Sequence, residues 1–400
     1  MDGVDGGAAD ADRISQLPEE IMAHIVSFLN MKEAVATRVL NKTWEKFWTN
    51  QVGQLRNLEF DMDNFRGRNR VRFRNYVDQI ISLRGPDNVE EFRLGFYELE
   101  QDDLPSISRW IDYATSCQVQ RMELYLYGTL PFGGEEEEEG HLFLISAPNL
   151  IRLKISLVTP DEFQFCSDHT FIIQTPNLEY LEIAEDTIFA SYEIQEIPTL
   201  DEAKLNIGPH SDFITEGEIS QEEARRVMVL LQGVKHARKL TLTEATTAAL
   251  GLVVDDDDEP LPFFPNLLNL QLCIDNCYGW KLLPDFLTNS PNLQVLQLNK
   301  LQEPYDYEKE PEFILDEETY GWIEPEYVPT CLAERLREIR MISLKRSEDE
   351  EDVIRFLLKN SMVLQRMTIN FSEYYDGEAL DEDMIEEFPR GSNICQLIFD

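Results

Sequence analysis

Pro148-Asn149-Leu150-Ile151-Arg152-Leu153-Lys154-Ile155 is the stretch that decides the fold of this chain. Three further copies share its layout: Pro176-Asn177-Leu178 leads to Leu181 and Ile183, Pro265-Asn266-Leu267 to Leu270 and Leu272, and Pro291-Asn292-Leu293 to Leu296 and Leu298. In each, a turn-forming Pro-Asn pair precedes a Leu-x-x-Leu-x-Leu pattern that tolerates other apolar residues. The last two apolar positions are two residues apart, the spacing of side chains on one face of a β-strand, so the residue between them points to the opposite face. Degenerate copies begin at Leu55, Val89, Val119, Leu200, Ala237, Leu336, Leu364 and Ile394, which makes twelve starts. The eleven intervals run from 22 to 43 residues and average about 31.

That period lies near the upper end for leucine-rich repeats, whose units each supply one strand to a stack. The expectation is an irregular solenoid with a curved parallel sheet, its leucines turned into a continuous core. Its concave face should carry the intervening residues Arg93, Glu123, Lys154, Glu182, Lys204, Thr241, Gln271, Gln297, Arg340 and Thr368. Four of these are cations, two are anions and four are neutral, so the predicted inner surface is mixed and the excess acid belongs to loops and the convex side. Lys154, Lys204 and Arg340 are the candidate target contacts. The same positions serve equally well merely to keep the face soluble, and the pattern does not separate the two roles.

Ahead of the array runs Asp12-Arg13-Ile14-Ser15-Gln16-Leu17-Pro18-Glu19-Glu20-Ile21. Pro18 followed by two glutamates suits a helix start, because proline lacks an N–H that would have no partner there and carboxylates favour the positive end of the helix dipole. Ile21, Ile25, Phe28 and Leu29 then recur at spacings of three and four, with Met22 and Val26 widening the stripe. Asn30 ends this helix, a second fits Lys32 to Leu40, and Asn41 caps a third that carries Trp44, Phe47 and Trp48. Three helices in under forty residues cannot bury so many large apolar groups among themselves. The surplus faces either a partner or the end of the repeat array.

The same segment, with Ser27-Phe28-Leu29, Lys32-Glu33-Ala34-Val35, Thr37-Arg38-Val39-Leu40 and Phe47-Trp48-Thr49, resembles the F-box of plant leucine-rich-repeat proteins. The resemblance implies docking on a Skp-type adaptor and, through it, on a cullin scaffold in an SCF ubiquitin ligase. Carried over by position, it makes Leu17, Pro18, Ile21, Ile25, Leu29, Val39, Leu40 and Trp44 the adaptor-binding residues or their supports. One departure is Asn41-Lys42-Thr43-Trp44, where family members commonly have Ser-Lys-Arg-Trp. Near the other end, Trp322, Pro325, Val328-Pro329, Cys331-Leu332, Phe356-Leu357-Leu358 and Val363 to Ile369 look like the FBD region of such proteins. Val353, Phe356, Leu357 and Leu364 suit a helix returning to a strand, as another repeat or a cap would. The expected organisation is a disordered tail over 1–11, an F-box over 12–50, the repeat array over 51–327 and FBD-like repeats with a cap over 328–400. The fold class is α/β, a three-helix F-box followed by the solenoid.

The chain has 400 residues, an apolar fraction of 43% and a formal net charge of −41, which permits a sizeable core. Residues 1–100 carry 13 Lys/Arg against 17 Asp/Glu, leaving 22 against 59 beyond them. Runs such as Glu135 to Glu139, Asp255 to Glu259 and Glu348 to Asp352 read as solvated loops or helix starts. A nucleic-acid partner is disfavoured, since phosphate contact needs cations; the opposing feature is Arg66, Arg68, Arg70, Arg72 and Arg74. Six cysteines without framework spacing read as reduced thiols inside the cell, in cytoplasm or nucleus, and the Cys273/Cys277 pair reads as packing rather than a metal site. No apolar run is long enough to span a membrane. Phosphate-binding, nucleophile-elbow and metalloprotease motifs are missing, so neither catalysis nor a cofactor is expected. The resulting expectation is a non-catalytic substrate-recognition subunit of a ubiquitin ligase that presents an unidentified protein target. A scaffold outside any ligase and a small-molecule receptor are the alternatives.

Overall fold

A computed structural model describes residues 13–14, 16–26, 28–29, 31–52, 55–65, 69–86, 88–128, 140–159, 169–209, 219–253, 260–274, 279–300, 322–372 and 380–400. The expected tail over 1–11, the acidic runs at 135–139 and 255–259, and Arg66, Arg68, Cys166, His210 and Cys277 lie outside these residues.

The N-terminal module consists of α1 (Glu19–Val26), α2 (Met31–Ala36) with a 3-10 turn over Thr37–Val39, and α3 (Lys42–Val52). The Pro18 carbonyl accepts the Met22 N–H at 3.0 Å, which starts α1 at Glu19, directly after the proline. Tighter turns from Ile25 to Phe28 and from Val26 to Leu29 end it early. Asn41 caps α3 as expected: its side-chain oxygen accepts the N–H groups of Thr43 at 2.8 Å and Trp44 at 3.0 Å. Met22, Ala34, Val35, Trp44, Phe47 and Trp48 form the buried centre, with Trp44 and Phe47 edge to face at 5.7 Å. Both indoles find acceptors, Trp48 at the Thr37 hydroxyl (2.6 Å) and Trp44 at the Ile14 carbonyl (3.3 Å).

The array places twelve strands in one parallel sheet: β1 (Asn57–Asp61), β2 (Glu91–Phe96), β3 (Arg121–Tyr127), β5 (Arg152–Val158), β7 (Tyr180–Glu185), β9 (Glu202–Ile207), β10 (Lys239–Leu242), β11 (Asn269–Ile274), β12 (Val295–Lys300), β13 (Glu338–Leu344), β14 (Arg366–Phe371) and β15 (Gln396–Phe399), in chain order across the sheet. Each of the twelve repeat starts lies two residues ahead of one of these strands. The register stacks Leu58, Phe92, Met122, Leu153, Leu181, Ala203, Leu240, Leu270, Leu296, Ile339, Met367 and Leu397 in one inward row. All but the half-buried Leu397, on the last strand, are fully buried.

The Pro-Asn dipeptides stitch one repeat to the next. The Asn177 amide donates to the Pro148 carbonyl at 2.8 Å and the Asn292 amide to Pro265 at 2.9 Å, while the Thr199 hydroxyl donates to Pro176 at 3.0 Å. Helices α4 (Arg70–Arg84), α5 (Leu104–Ser116), α6 (Gln221–Gly233), α7 (Glu244–Val253), α8 (Gly279–Asn289), α9 (Thr330–Glu334), α10 (Glu348–Asn360) and α11 (Glu382–Glu386) form most of the return segments. Three successive repeats return through strands instead, β4 (Leu142–Ser146), β6 (His169–Gln174) and β8 (Ala190–Ile194), which pair in parallel as a second sheet. Phe143, Phe171 and Tyr192 stack across it at 4.7 and 5.5 Å. The Tyr192 hydroxyl donates to Glu185, which also accepts the N–H groups of Phe189 at 3.3 Å and Ala190 at 3.4 Å. Glu185 is 2% exposed, and burial pushes its carboxyl up to about 7.

Arg70, Arg72 and Arg74 belong to the first turns of α4. Asn69 caps α4, and the helical spacing puts Arg70 and Arg74 on one side, where both pair with the buried Asp103 at 3.1 and 3.0 Å. Two of the three described arginines in this run are therefore consumed within the fold. At the far end, β13 to β15 continue the same sheet. Ser347 and Glu350 make a capping box on α10, and Glu350, in the acidic run, is fully buried against Lys300 Nζ at 2.5 Å.

Candidate protein-interaction surfaces

The helical module leaves a set of large apolar side chains uncovered. Ile21 is 45% exposed, Phe28 75%, Val39 79% and Leu40 52%, with Ile14 and Ile25 also open. Among the expected adaptor contacts, Pro18 is exposed, while Leu17 and Leu29 are half-buried and packed against the core. Trp44, at 1% exposure, falls among the supports rather than the contacts: its indole N–H ties α3 to the segment around Ile14. Phe28, expected in the module's own stripe, is exposed instead, because α1 ends before it.

The second surface is the open face of the large sheet. Its middle row reads Glu59, Arg93, Glu123, Lys154, Glu182, Lys204, Thr241, Gln271, Gln297, Arg340 and Thr368, each beside the next across neighbouring strands. From Glu59 to Lys204 the signs alternate. Arg93 lies 3.7 Å from both Glu59 and Glu123, and Lys154 lies 3.3 Å from Glu182. Lys204 pairs with Glu202 at 3.5 Å and Arg340 with Glu338 at 2.7 Å. All three candidate target contacts thus already hold a carboxylate of the sheet itself. Tyr180 anchors the centre, with the Arg152 guanidinium 3.9 Å above its ring and its hydroxyl donating to Glu182. Partial burial works against the Glu182 charge, yet the Tyr180 bond and Lys154 hold its carboxyl below the ordinary value. An acidic ligand here must replace an existing partner rather than fill a vacant one.

Nothing built for catalysis emerges among the described residues. Burial pushes the Cys331 thiol up to about 12 and the Cys273 thiol to about 11, so both stay protonated near neutral pH. No group of three His, Cys, Asp or Glu could hold a metal ion among the described residues, and no helix there is long and apolar enough to cross a membrane. Ser108 Oγ meets His141 Nε2 at 2.7 Å, but the His141 backbone N–H in turn donates to His169 Nδ1 at 3.0 Å, which ties the start of β4 to the start of β6 instead of orienting a base.

Residues 14–52 match the family model of the F-box domain, and residues 324–369 match that of the FBD region. The chain has the domain make-up of a plant F-box/leucine-rich-repeat/FBD protein. An F-box/LRR-repeat protein of Arabidopsis thaliana is 26% identical over 72% of this chain and 55% of its own length, so the chain spans about half of that relative. A second is 24% identical over 96% of this chain and 88% of its own. An F-box/FBD/LRR-repeat protein of the same plant is 23% identical over 97% of this chain and its own full length. The FBD match begins ahead of α9 and ends in β14, so it covers two successive strands of the common sheet and the helices beside them. An F-box is a protein-interaction module, which suits the uncovered apolar set.

Proposed function

We propose that this protein is the non-catalytic target-recognition subunit of an SCF-type ubiquitin ligase. Its F-box docks on a Skp-type adaptor, the adaptor links it to a cullin scaffold, and the repeat array presents a protein target. The observation that carries this reading is the exposed set of Ile21, Phe28, Val39 and Leu40 on a module whose tryptophans are buried. Several large apolar side chains left exposed on one small folded module mark a partner site. The chemistry belongs to other subunits, and this chain contributes proximity between target and ubiquitin donor. Four cysteines are free in the described structure, in keeping with a place in the cytoplasm and/or nucleus.

Co-purification with a plant Skp-type adaptor tests the reading. Val39→Asp and Leu40→Asp should keep the helical circular dichroism and weaken adaptor binding at least about thirtyfold, as loss of an interface anchor does. Trp44→Ala should lose both. Full adaptor binding by a folded Val39→Asp/Leu40→Asp variant would refute it.

A further inference from the structure

The residues that lead into the strands form a ledge along one edge of the sheet. Asp201, Arg238, Leu268, Gln294, Arg337 and Gln365 each sit one position ahead of a strand; the first five carbonyls each accept two N–H bonds from the following repeat and that of Gln365 accepts one, at 2.8 to 3.2 Å. These carbonyls are largely engaged, so a ligand is held here chiefly by side chains. Two grooves open on this ledge and meet at Gln294. One, of about 700 Å³, runs from Glu179 to Arg335; the other, of about 520 Å³, runs from Gln294 to Gln396. Both are within the usual size of binding clefts.

The charge changes along the ledge. Over β7 and β9 it carries Glu179 and Asp201, and from β10 onward Arg238, Arg335, Arg337 and Arg366. Arg238 leans on Asp201 at 3.8 Å and Arg366 on Glu338 at 3.9 Å. Arg335 and Arg337 are exposed and make no ion pair or side-chain hydrogen bond among the described residues. In a chain of net charge −41 with 35 basic residues, two unengaged guanidinium groups, Arg335 in one groove and Arg337 in the adjoining one, are out of keeping with a merely solubilised surface. Between them and beyond stand Gln294, Gln365 and Gln396, amides that can both donate to and accept from a peptide backbone.

We propose that this ledge binds an extended acidic segment of a partner protein, with Arg335 and Arg337 receiving its carboxylates and the glutamine amides its backbone. Guanidinium forks match carboxylates in geometry as well as charge. The remote acid of the chain does not prevent this, because at physiological salt charges more than about 8 Å away in solvent are largely screened. Six inter-strand steps from β9 to β15 span roughly 29 Å, the length of about nine extended residues. Nucleic acid fits less well, since backbone tracking calls for a run of phosphate-binding cations and the ledge offers two that are free. The surface lies on the array and does not depend on adaptor docking.

The test uses the full chain and two fluorescein-labelled nonapeptides, one alternating glutamate and alanine, the other glutamine and alanine, followed by fluorescence anisotropy at two salt concentrations. The glutamate peptide should bind better at low salt and lose affinity at high salt. Arg335→Glu/Arg337→Glu should weaken it at least about tenfold, the loss of one charge-assisted hydrogen bond, while Arg72→Glu on α4 leaves it unchanged. A folded double variant that binds undiminished, equal binding of the glutamine peptide, no binding of either, or tighter binding of a single-stranded RNA nonamer would each overturn the proposal. Adaptor co-purification of the same double variant should be normal, which separates failure here from failure of the F-box reading.

Discussion

Replacing Glu185 by Gln should flatten the pH dependence of stability. The carboxyl lies at the end of β7, under the second sheet, with Tyr192 and two backbone N–H groups directed at it. Those three bonds favour the charged form, but complete burial outweighs them and raises the carboxyl from 4.5 to about 7. A carboxyl that is harder to ionise when folded binds its proton more tightly in the native state, so its contribution is fully present below 4.5 and is lost as the pH rises through about 7. The whole difference is worth roughly 3 kcal/mol, of which about 2 kcal/mol falls between pH 5.5 and 8.5. Urea unfolding of the wild type and Glu185→Gln across that interval gives the two slopes. The variant keeps an acceptor for Tyr192 and cannot ionise, so it should lack that loss of about 2 kcal/mol. Parallel pH profiles for the two proteins would show that Glu185 does not titrate as its burial demands.

Leu153, Leu181, Leu270 and Leu296 share the inward row, and each change to Ala should cost roughly 2–5 kcal/mol by denaturant unfolding, whereas Val229→Ala on the exposed side of α6 should cost far less. Equal effects would mean the register is wrong. Lys300→Ala should destabilise by about 3–5 kcal/mol because it strands the buried Glu350 carboxylate, and Lys300→Met/Glu350→Gln should recover much of that loss. A double variant no more stable than the single one would count against the pair being the cause.

The strands of the large sheet were legible because everything that places them is local. Leu153 and Ile155 mark a strand without reference to any other repeat, and the Pro-Asn turn fixes where it begins. The second sheet was hidden for the opposite reason. Leu142 and Leu144 are exposed although apolar, so β4 shows no alternation between polar and apolar positions, and its pairing with β6 lies about thirty residues away. The helices of the F-box were legible in number and in their Asn41 cap, but not in the early end of α1 that exposes Phe28. Lys154, Lys204 and Arg340 were identifiable as open-face cations; the carboxylates that engage them follow only from register and packing. The ledge had no local signature at all, since Arg238, Arg337 and Gln365 come from separate repeats and are aligned only by the sheet.

The alternating row from Glu59 to Lys204 acts as a parity rule on how the array can change. Deleting β3 and its return segment would bring Arg93 beside Lys154, two like charges at cross-strand distance, whereas removing β3 and β5 together would bring Arg93 beside Glu182 and restore attraction. Gains or losses of repeats in this half are tolerated best in twos. Past Lys204 the row turns to Thr241, Gln271 and Gln297, where sign has no meaning and single units can come and go. Within the first half, an internal change by one repeat sets like charges side by side and a change by two does not.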